Sequence, residues 1–139
     1  MNKTYSQMEL AQIKPLVLAY IGDSVYEVYV RNHLVQTSGR LDVNHLHKKS
    51  VRFVCCASQA RILSELEPEL TDQELDIVRR GRNAHSHTVP KNASVHDYRC
   101  ATGFEALIGY TYLKGDQQRL EVLLSKAIEI GQGEKNEQI

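Results

Sequence analysis

No apolar run in this chain approaches the roughly 18 residues that a membrane-spanning helix needs. The best candidate, Leu16 to Ile21, is cut by Gly22-Asp23-Ser24. The N-terminal stretch MNKTYSQMELAQIK has no apolar signal core, so neither an anchor nor a secretory leader is expected. Cysteine is scarce as well. Cys55, Cys56 and Cys100 cannot all pair within one chain, and the adjacent Cys55-Cys56 makes a poor bridge. With no Cys-x-x-Cys spacing, neither a disulfide framework nor a zinc site is indicated, and buried thiols in a reducing cytoplasm are expected. Gly81 stands alone, so no Gly-rich phosphate loop is present. His45-x-His47 and His85-x-His87 splay their side chains and have no HExxH-like frame, which points to structural or phosphate-contacting histidines. Internal repeats and low-complexity tracts are absent.

Net charge is absent too: the formal charge is +0. Spread evenly, that balance would argue against a nucleic-acid partner, but the charges are segregated. Arg40 to Arg61 holds Arg40, Lys48, Lys49, Arg52 and Arg61 against Asp42 alone. Ile62 to Val78 holds Glu65, Glu67, Glu69, Asp72, Glu74 and Asp76 with no basic residue. Arg79 to Arg99 reverses the sign again, with Arg79, Arg80, Arg82, Lys91 and Arg99 against Asp97. Such a dipolar surface offers a polyanion one basic side, although charge runs are commonly only solvated faces.

What is present is helical periodicity over most of the 139 residues, enough for one domain with a sizeable core. Pro15 suits the first turn of a helix running to about Gln36 and stopping near Ser38-Gly39. Asp42 is placed to cap a second helix, about Val43 to Leu66, ended by Pro68. Thr71-Asp72-Gln73-Glu74 is a capping box opening a third, whose C-terminus carries Arg79, Arg80 and Arg82 in accord with the macrodipole. Ala84 to Ala93 reads as a polar loop, and Ser94 with Asp97 opens a fourth helix, about Val95 to Leu113. Asp116 caps a last helix, Gln117 to Ile130, followed by a polar tail. The expected fold is all-α, with a domain over 1–131 and a tail over 132–139.

Two carboxylates break the pattern. Asp23 lies in LVLAYIGDSVYEVYVR (Leu16 to Arg31), and Glu105 lies in ATGFEALIGY (Ala101 to Tyr110). Segments this apolar are expected to be buried, where a carboxylate costs several kcal/mol unless paired or set on a cation. Gly22 adjoins Asp23, and Gly103 and Gly109 bracket Glu105. Small residues let helix backbones approach, so these glycines are placed to bring the two acids together. Converging carboxylates repel, and an oxygen-only pair suits Mg²⁺. The plainer alternative pairs each acid with an arginine such as Arg31 or Arg99. Glu27, one turn after Asp23, is either a third ligand or a partner for Arg31, and the first is favoured slightly.

Tyr20-Ile21-Gly22-Asp23-Ser24-Val25 resembles the signature helix of ribonuclease III domains, and Phe104-Glu105-Ala106-Leu107-Ile108-Gly109 resembles that family's second acidic segment. The order and spacing match over about residues 15 to 131. The usual signature has further acids where this chain has Ala19 and Thr102, so the resemblance implies no tight second metal site. One acid per motif, with Leu46-His47-Lys48-Lys49-Ser50, Arg80-Gly81-Arg82-Asn83-Ala84 and Pro90-Lys91-Asn92, is similar to the short Mini-ribonuclease III branch, which lacks a double-stranded-RNA-binding domain.

The resemblance implies a cytoplasmic, homodimeric, Mg²⁺-dependent endoribonuclease on double-stranded RNA. The branch acts on a stem of the large-subunit (23S) ribosomal RNA precursor, with ribosomal-protein assistance an open question. It also implies Asp23 and Glu105 as catalytic metal ligands, with Glu27 added only by the helix-face argument. Lys48, Lys49, Arg80, Arg82, Asn83 and Lys91 are the expected RNA contacts, and the loop from Gly81 to Asn92 is expected near a groove. The alternatives are a non-catalytic helical RNA-binding or ribosome-associated dimer, and a plain helical interaction protein.

Overall fold

The computed structural model describes residues 3–84, 89–91 and 93–137. Among them the chain is helical with no strand: α1 (Gln7–Gln12), α2 (Pro15–Thr37), α3 (Val43–Val54), α4 (Cys56–Leu66), a 3₁₀ turn (Glu67–Glu69), α5 (Asp72–Asn83), α6 (Val95–Lys114) and α7 (Gln117–Glu137). The capping signals act as expected. Asp42 accepts from His45 N–H, Ser94 from Asp97 N–H, and Thr71 and Glu74 close a full capping box. Gly115 ends α6 in the left-handed region, at φ 81°, where a side chain would be strained.

Three elements differ from the sequence expectation. Helix α1 opens on a Ser6–Glu9 capping box within a stretch too short to show periodicity. The expected single helix Val43 to Leu66 is two, because Cys55 adopts an extended conformation (φ −68°, ψ 155°). The break turns Phe53 into the core and leaves Val51 and Ala57 exposed. The last helix continues through residues 131–137: Gly131 is buried against the Phe53 ring, where a Cβ would sit 2.7 Å from Cδ1.

Helix α6 is the axis of the fold, buried almost without interruption from Cys100 to Thr111, and α2, α4, α5 and α7 pack around it. The larger core joins Tyr26, Phe53, Ile62, Phe104 and Leu124; a smaller one joins Leu10, Leu18, Ile77 and Tyr110. Tyr26 meets Phe104 edge to face at 4.9 Å and donates its hydroxyl to Phe53 O at 2.8 Å. One aromatic thus ties α2 to both α6 and the end of α3, a turn away from Asp23 and next to Glu105.

The start of α7 is held to α5 by charge. Arg119 grips Glu74 with two hydrogen bonds of 2.8 and 2.9 Å and donates to Glu69 O at 3.1 Å. Burial alone would raise the Glu74 carboxyl; Arg119 and the Thr71 N–H hold it below its ordinary value. Arg119→Ala leaves that carboxylate buried without its cation, so we expect a loss of about 2–3 kcal/mol. Urea unfolding monitored by circular dichroism will measure it.

Candidate active site

Two close helix crossings build the site, and both use glycine pairs. Where α2 crosses α6, Gly22 lies against the Glu105 carbonyl and Gly109 against the Leu18 carbonyl. A Cβ at Gly22 would fall on the Glu105 oxygen and 2.8 Å from Gly109 N. The hydrogens in those positions point at carbonyl oxygens, a reciprocal Cα–H···O arrangement of about 0.5–1 kcal/mol per contact. Where α5 crosses α6, Gly81 faces Gly103, with 2.8 Å between an added Cβ and the opposing Cα. The glycines flanking Glu105 therefore divide their work: Gly109 admits α2 and Gly103 admits α5.

The first crossing brings Asp23 to Glu105. Glu105 is half-buried, and its carboxyl is pushed up to about 8, first by burial and then by the Asp23 charge beside it; Gln59 from α4 works the other way. Asp23 is solvent-exposed, contrary to the expectation from its apolar surroundings. One stripe of α2 (Leu18, Ala19, Gly22, Tyr26, Val30 and Leu34) supplies the core, while Val17, Tyr20 (79% exposed), Val28 and Val35 remain in solvent. The arginine alternative finds no ion pair among the described residues: Arg31 bonds Glu27 at 3.2 Å, and neither Arg99 nor either acid joins a salt bridge. Glu27 makes this ion pair along its own helix, and no group of three or more metal-binding side chains forms among the described residues.

Five of the six expected RNA contacts fall in two places, and Lys91 lies between α5 and α6. Arg80, Arg82 and Asn83 occupy the last turn of α5 and not a loop, with the Arg82 stem against Gly103, two residues from Glu105. Arg82 also pairs with Glu67 at 3.5 Å. Lys48 and Lys49 lie on α3, and Lys49 borders a hollow with Leu34, Thr37 and Arg52. Eleven residues of helix separate Asp23 from Leu34, which places that hollow about 16 Å along α2 from the acids. Lys48, Lys49, Arg80 and Lys91 make no ion pair among the described residues. Gly81 is buried in the α5–α6 contact, so the expected groove-facing loop does not begin there. His85, His87 and Asn92 lie outside the described residues. Of the other histidines, His33 bonds Gln132 at 2.7 Å and His96 lies 3.6 Å from the Cys100 thiol. All three cysteines are free thiols, but only Cys100 is buried as expected; Cys55 and Cys56, at the break between α3 and α4, are half-exposed.

Sequence reasoning passed over Gln59. It is 2% exposed and sits beside Glu105, within a run of small and polar residues that gives no reason to single it out.

The chain as a whole has known relatives. Residues 16–116 match the ribonuclease III domain family. The chain belongs to the ribonuclease III family. Within it, the chain is 50% identical over 123 residues to the Mini-ribonuclease 3 of Symbiobacterium thermophilum, covering 86% of this chain and 94% of that one. It is 42% identical over 130 residues to the Mini-ribonuclease 3 of Clostridium tetani, covering 94% and 86%. A crystal structure of a protein from Fusobacterium nucleatum superposes with a TM-score of 0.76 at 25% identity, covering 85% of this chain and 93% of that one. The all-α ribonuclease III fold expected from the sequence is therefore the fold of this chain.

Proposed function

We propose that this protein is an endoribonuclease that hydrolyses phosphodiester bonds in double-stranded RNA, with Mg²⁺ held between Asp23 and Glu105. The observation carrying this reading is the convergence of those two carboxylates without an arginine or lysine between them. Glu105 pushed up to about 8 marks a place short of positive charge. Oxygen donors on two rigid helices, one facing solvent, fit a hard divalent cation that keeps waters for itself. When bound, that cation polarises the scissile phosphate and activates the attacking water.

The chain's own residues do the rest. Gly22 and Gly109 set the distance between the acids, and Tyr26 and Phe104 lock the two helices that carry them. Asp23, open to solvent, is the acid that an RNA backbone reaches first. Arg80 and Arg82, at the end of α5 beside Gly103, supply cations for flanking phosphates; Lys48, Lys49, Asn83 and Lys91 extend the contact. Products carry a 5′-phosphate and a 3′-hydroxyl. The exposed apolar stripe of α2 forms a homodimer, so that two symmetry-related sites address the two strands of a duplex. The natural substrate is a stem of the 23S ribosomal RNA precursor in the cytoplasm. No helix among the described residues is long and apolar enough to cross a membrane.

Incubation with long double-stranded RNA tests the reading. Cleavage is expected with Mg²⁺, lost with EDTA, and lost in Asp23→Asn. Binding without cleavage in the wild type would favour a non-catalytic RNA module. For the basic residues, Lys48→Ala with Lys49→Ala should weaken binding and flatten the salt dependence by about one to two in log–log slope. Unchanged slope in a filter-binding series removes them from the interface. Sedimentation at micromolar concentration should show a dimer, and Tyr20→Glu should yield monomer.

A further inference from the structure

Gln59 lies outside both acidic motifs, yet its setting is unusual. It is the fourth residue of α4, which starts directly after the Cys55 break. At 2% exposure it is a buried amide. Its Nε2 donates to Val54 O at 2.8 Å, satisfying a carbonyl that the end of α3 leaves free. The same amide group faces the Glu105 carboxyl. Its Oε1 is buried and has no hydrogen-bond partner among the described residues. Rotating the amide by half a turn does not remove the vacancy, since Oε1 would then oppose the Val54 carbonyl. A buried acceptor left without a donor costs about 1–3 kcal/mol, so such a group calls for an explanation.

We propose that Gln59 is a positioning residue of the acid pair: its Nε2 holds the Glu105 carboxylate, and its Oε1 accepts a hydrogen bond from hydration water of the cation set between Glu105 and Asp23. The inference rests on the metal-dependent nuclease reading. Its physical content is that α3, α4 and α6 meet at one side chain. Val54 O fixes the amide plane, that plane orients Glu105, and the remaining acceptor, buried and unpartnered among the described residues, is left for a water of the cation. Acidic ligands are too few here to fill a cation's coordination sphere, so several positions belong to water. An amide oxygen on a rigid helix then orders one of those waters. Residues of this outer kind contribute about 10- to 100-fold in metal affinity.

The test uses the intact wild-type protein first, by NMR. Adding Mg²⁺ in the absence of RNA should shift the Gln59 side-chain amide resonances with the same midpoint as the backbone amides of Asp23 and Glu105. Shifts at Asp23 and Glu105 with Gln59 unmoved would overturn this inference and leave the nuclease reading standing. No shift at any of the three would overturn both. In Gln59→Met, which keeps the side-chain length but removes both donor and acceptor, Mn²⁺ affinity measured by electron paramagnetic resonance should fall about tenfold. Its kcat should fall while KM for RNA stays within about twofold, because no phosphate contact is lost. A folded variant with unchanged Mn²⁺ affinity contradicts the proposal. Should that variant not fold, the wild-type NMR titration decides alone.

Discussion

Glu105→Gln will abolish cleavage and, in metal-free buffer, stabilise the protein above about pH 8. Both effects come from the same carboxyl. In the folded chain it is pushed from an ordinary 4.5 up to about 8, by burial first and by Asp23 second. Between those two values the folded state keeps a proton that the unfolded state has released. Stability therefore falls as pH rises through that window, and the full penalty is present above about pH 8. The shift corresponds to an effect on the order of 2–4 kcal/mol once water penetration of a half-buried site is allowed for. Glutamine has no proton to lose and keeps the shape, so it escapes the penalty. Urea unfolding in EDTA should show wild type and variant alike near pH 5 and the variant ahead at pH 9.

The loss of cleavage follows because the neutral amide cannot serve with Asp23 as a site for a divalent cation. A fall of at least about 10²- to 10³-fold is expected. Mg²⁺ should raise the melting temperature of the wild type and not of the variant. Below pH 8 every cation bound by the wild type displaces a proton from Glu105, so its Mg²⁺ midpoint should drop about tenfold per pH unit up to that point. Asp23→Asn makes a useful contrast. It too removes cleavage, but the stability gain should be smaller, because Asp23 is exposed and acts on stability only through Glu105. A variant that still cuts, or a Glu105→Gln protein weaker than wild type at pH 9, would refute this account.

Much of that site is legible in the amino-acid sequence, for a physical reason. An acid and a glycine within one turn of each other in an apolar helix are each unfavourable there, and two such sites point to helices that must touch. Gly22 and Gly109 do touch the facing backbones, and the acids, Asp23 next to Gly22 and Glu105 one turn from Gly109, meet. Exposure of Asp23 is not legible. An apolar pattern says that a face avoids water and not which surface covers it, and the outward stripe of Val17, Tyr20 and Val28 has the same composition as the inward one. The break at Cys55 is hidden as well, since Val54-Cys55-Cys56 contains no proline or glycine. What sustains it is a long-range arrangement: Phe53 O taken by Tyr26 and Val54 O taken by Gln59. The same arrangement gives Gln59 its place, which no local pattern around it announces. Gly131 misleads in the opposite direction, reading as a helix end when its missing side chain makes room for Phe53.

Gly22→Ala should be the most damaging single methyl group that can be added to this chain. At most positions in a helix the exchange of glycine for alanine stabilises by up to about 1 kcal/mol. Here that gain is overwhelmed, because the methyl would occupy the place of the Glu105 carbonyl oxygen, with the Glu105 carbonyl carbon and Gly109 N each 2.8 Å away. Those atoms are backbone of a helix buried on all sides, so nothing flexible can yield. The two helices must separate, which opens the contact between the larger and smaller cores and turns Asp23 away from Glu105. The expected cost is on the order of 3 kcal/mol or more. Gly109→Ala meets the Leu18 carbonyl in the same manner and should cost a similar amount. Because both variants disturb one crossing, their double mutant should cost less than the sum of the two, a coupling that urea titrations of all four proteins will measure. Gly133→Ala, where nothing lies within 4 Å, is the control and should unfold at or above the wild-type midpoint. Additive losses at Gly22 and Gly109, or a Gly22→Ala protein of wild-type stability that retains cleavage, would mean that the crossing does not set the distance between the acids.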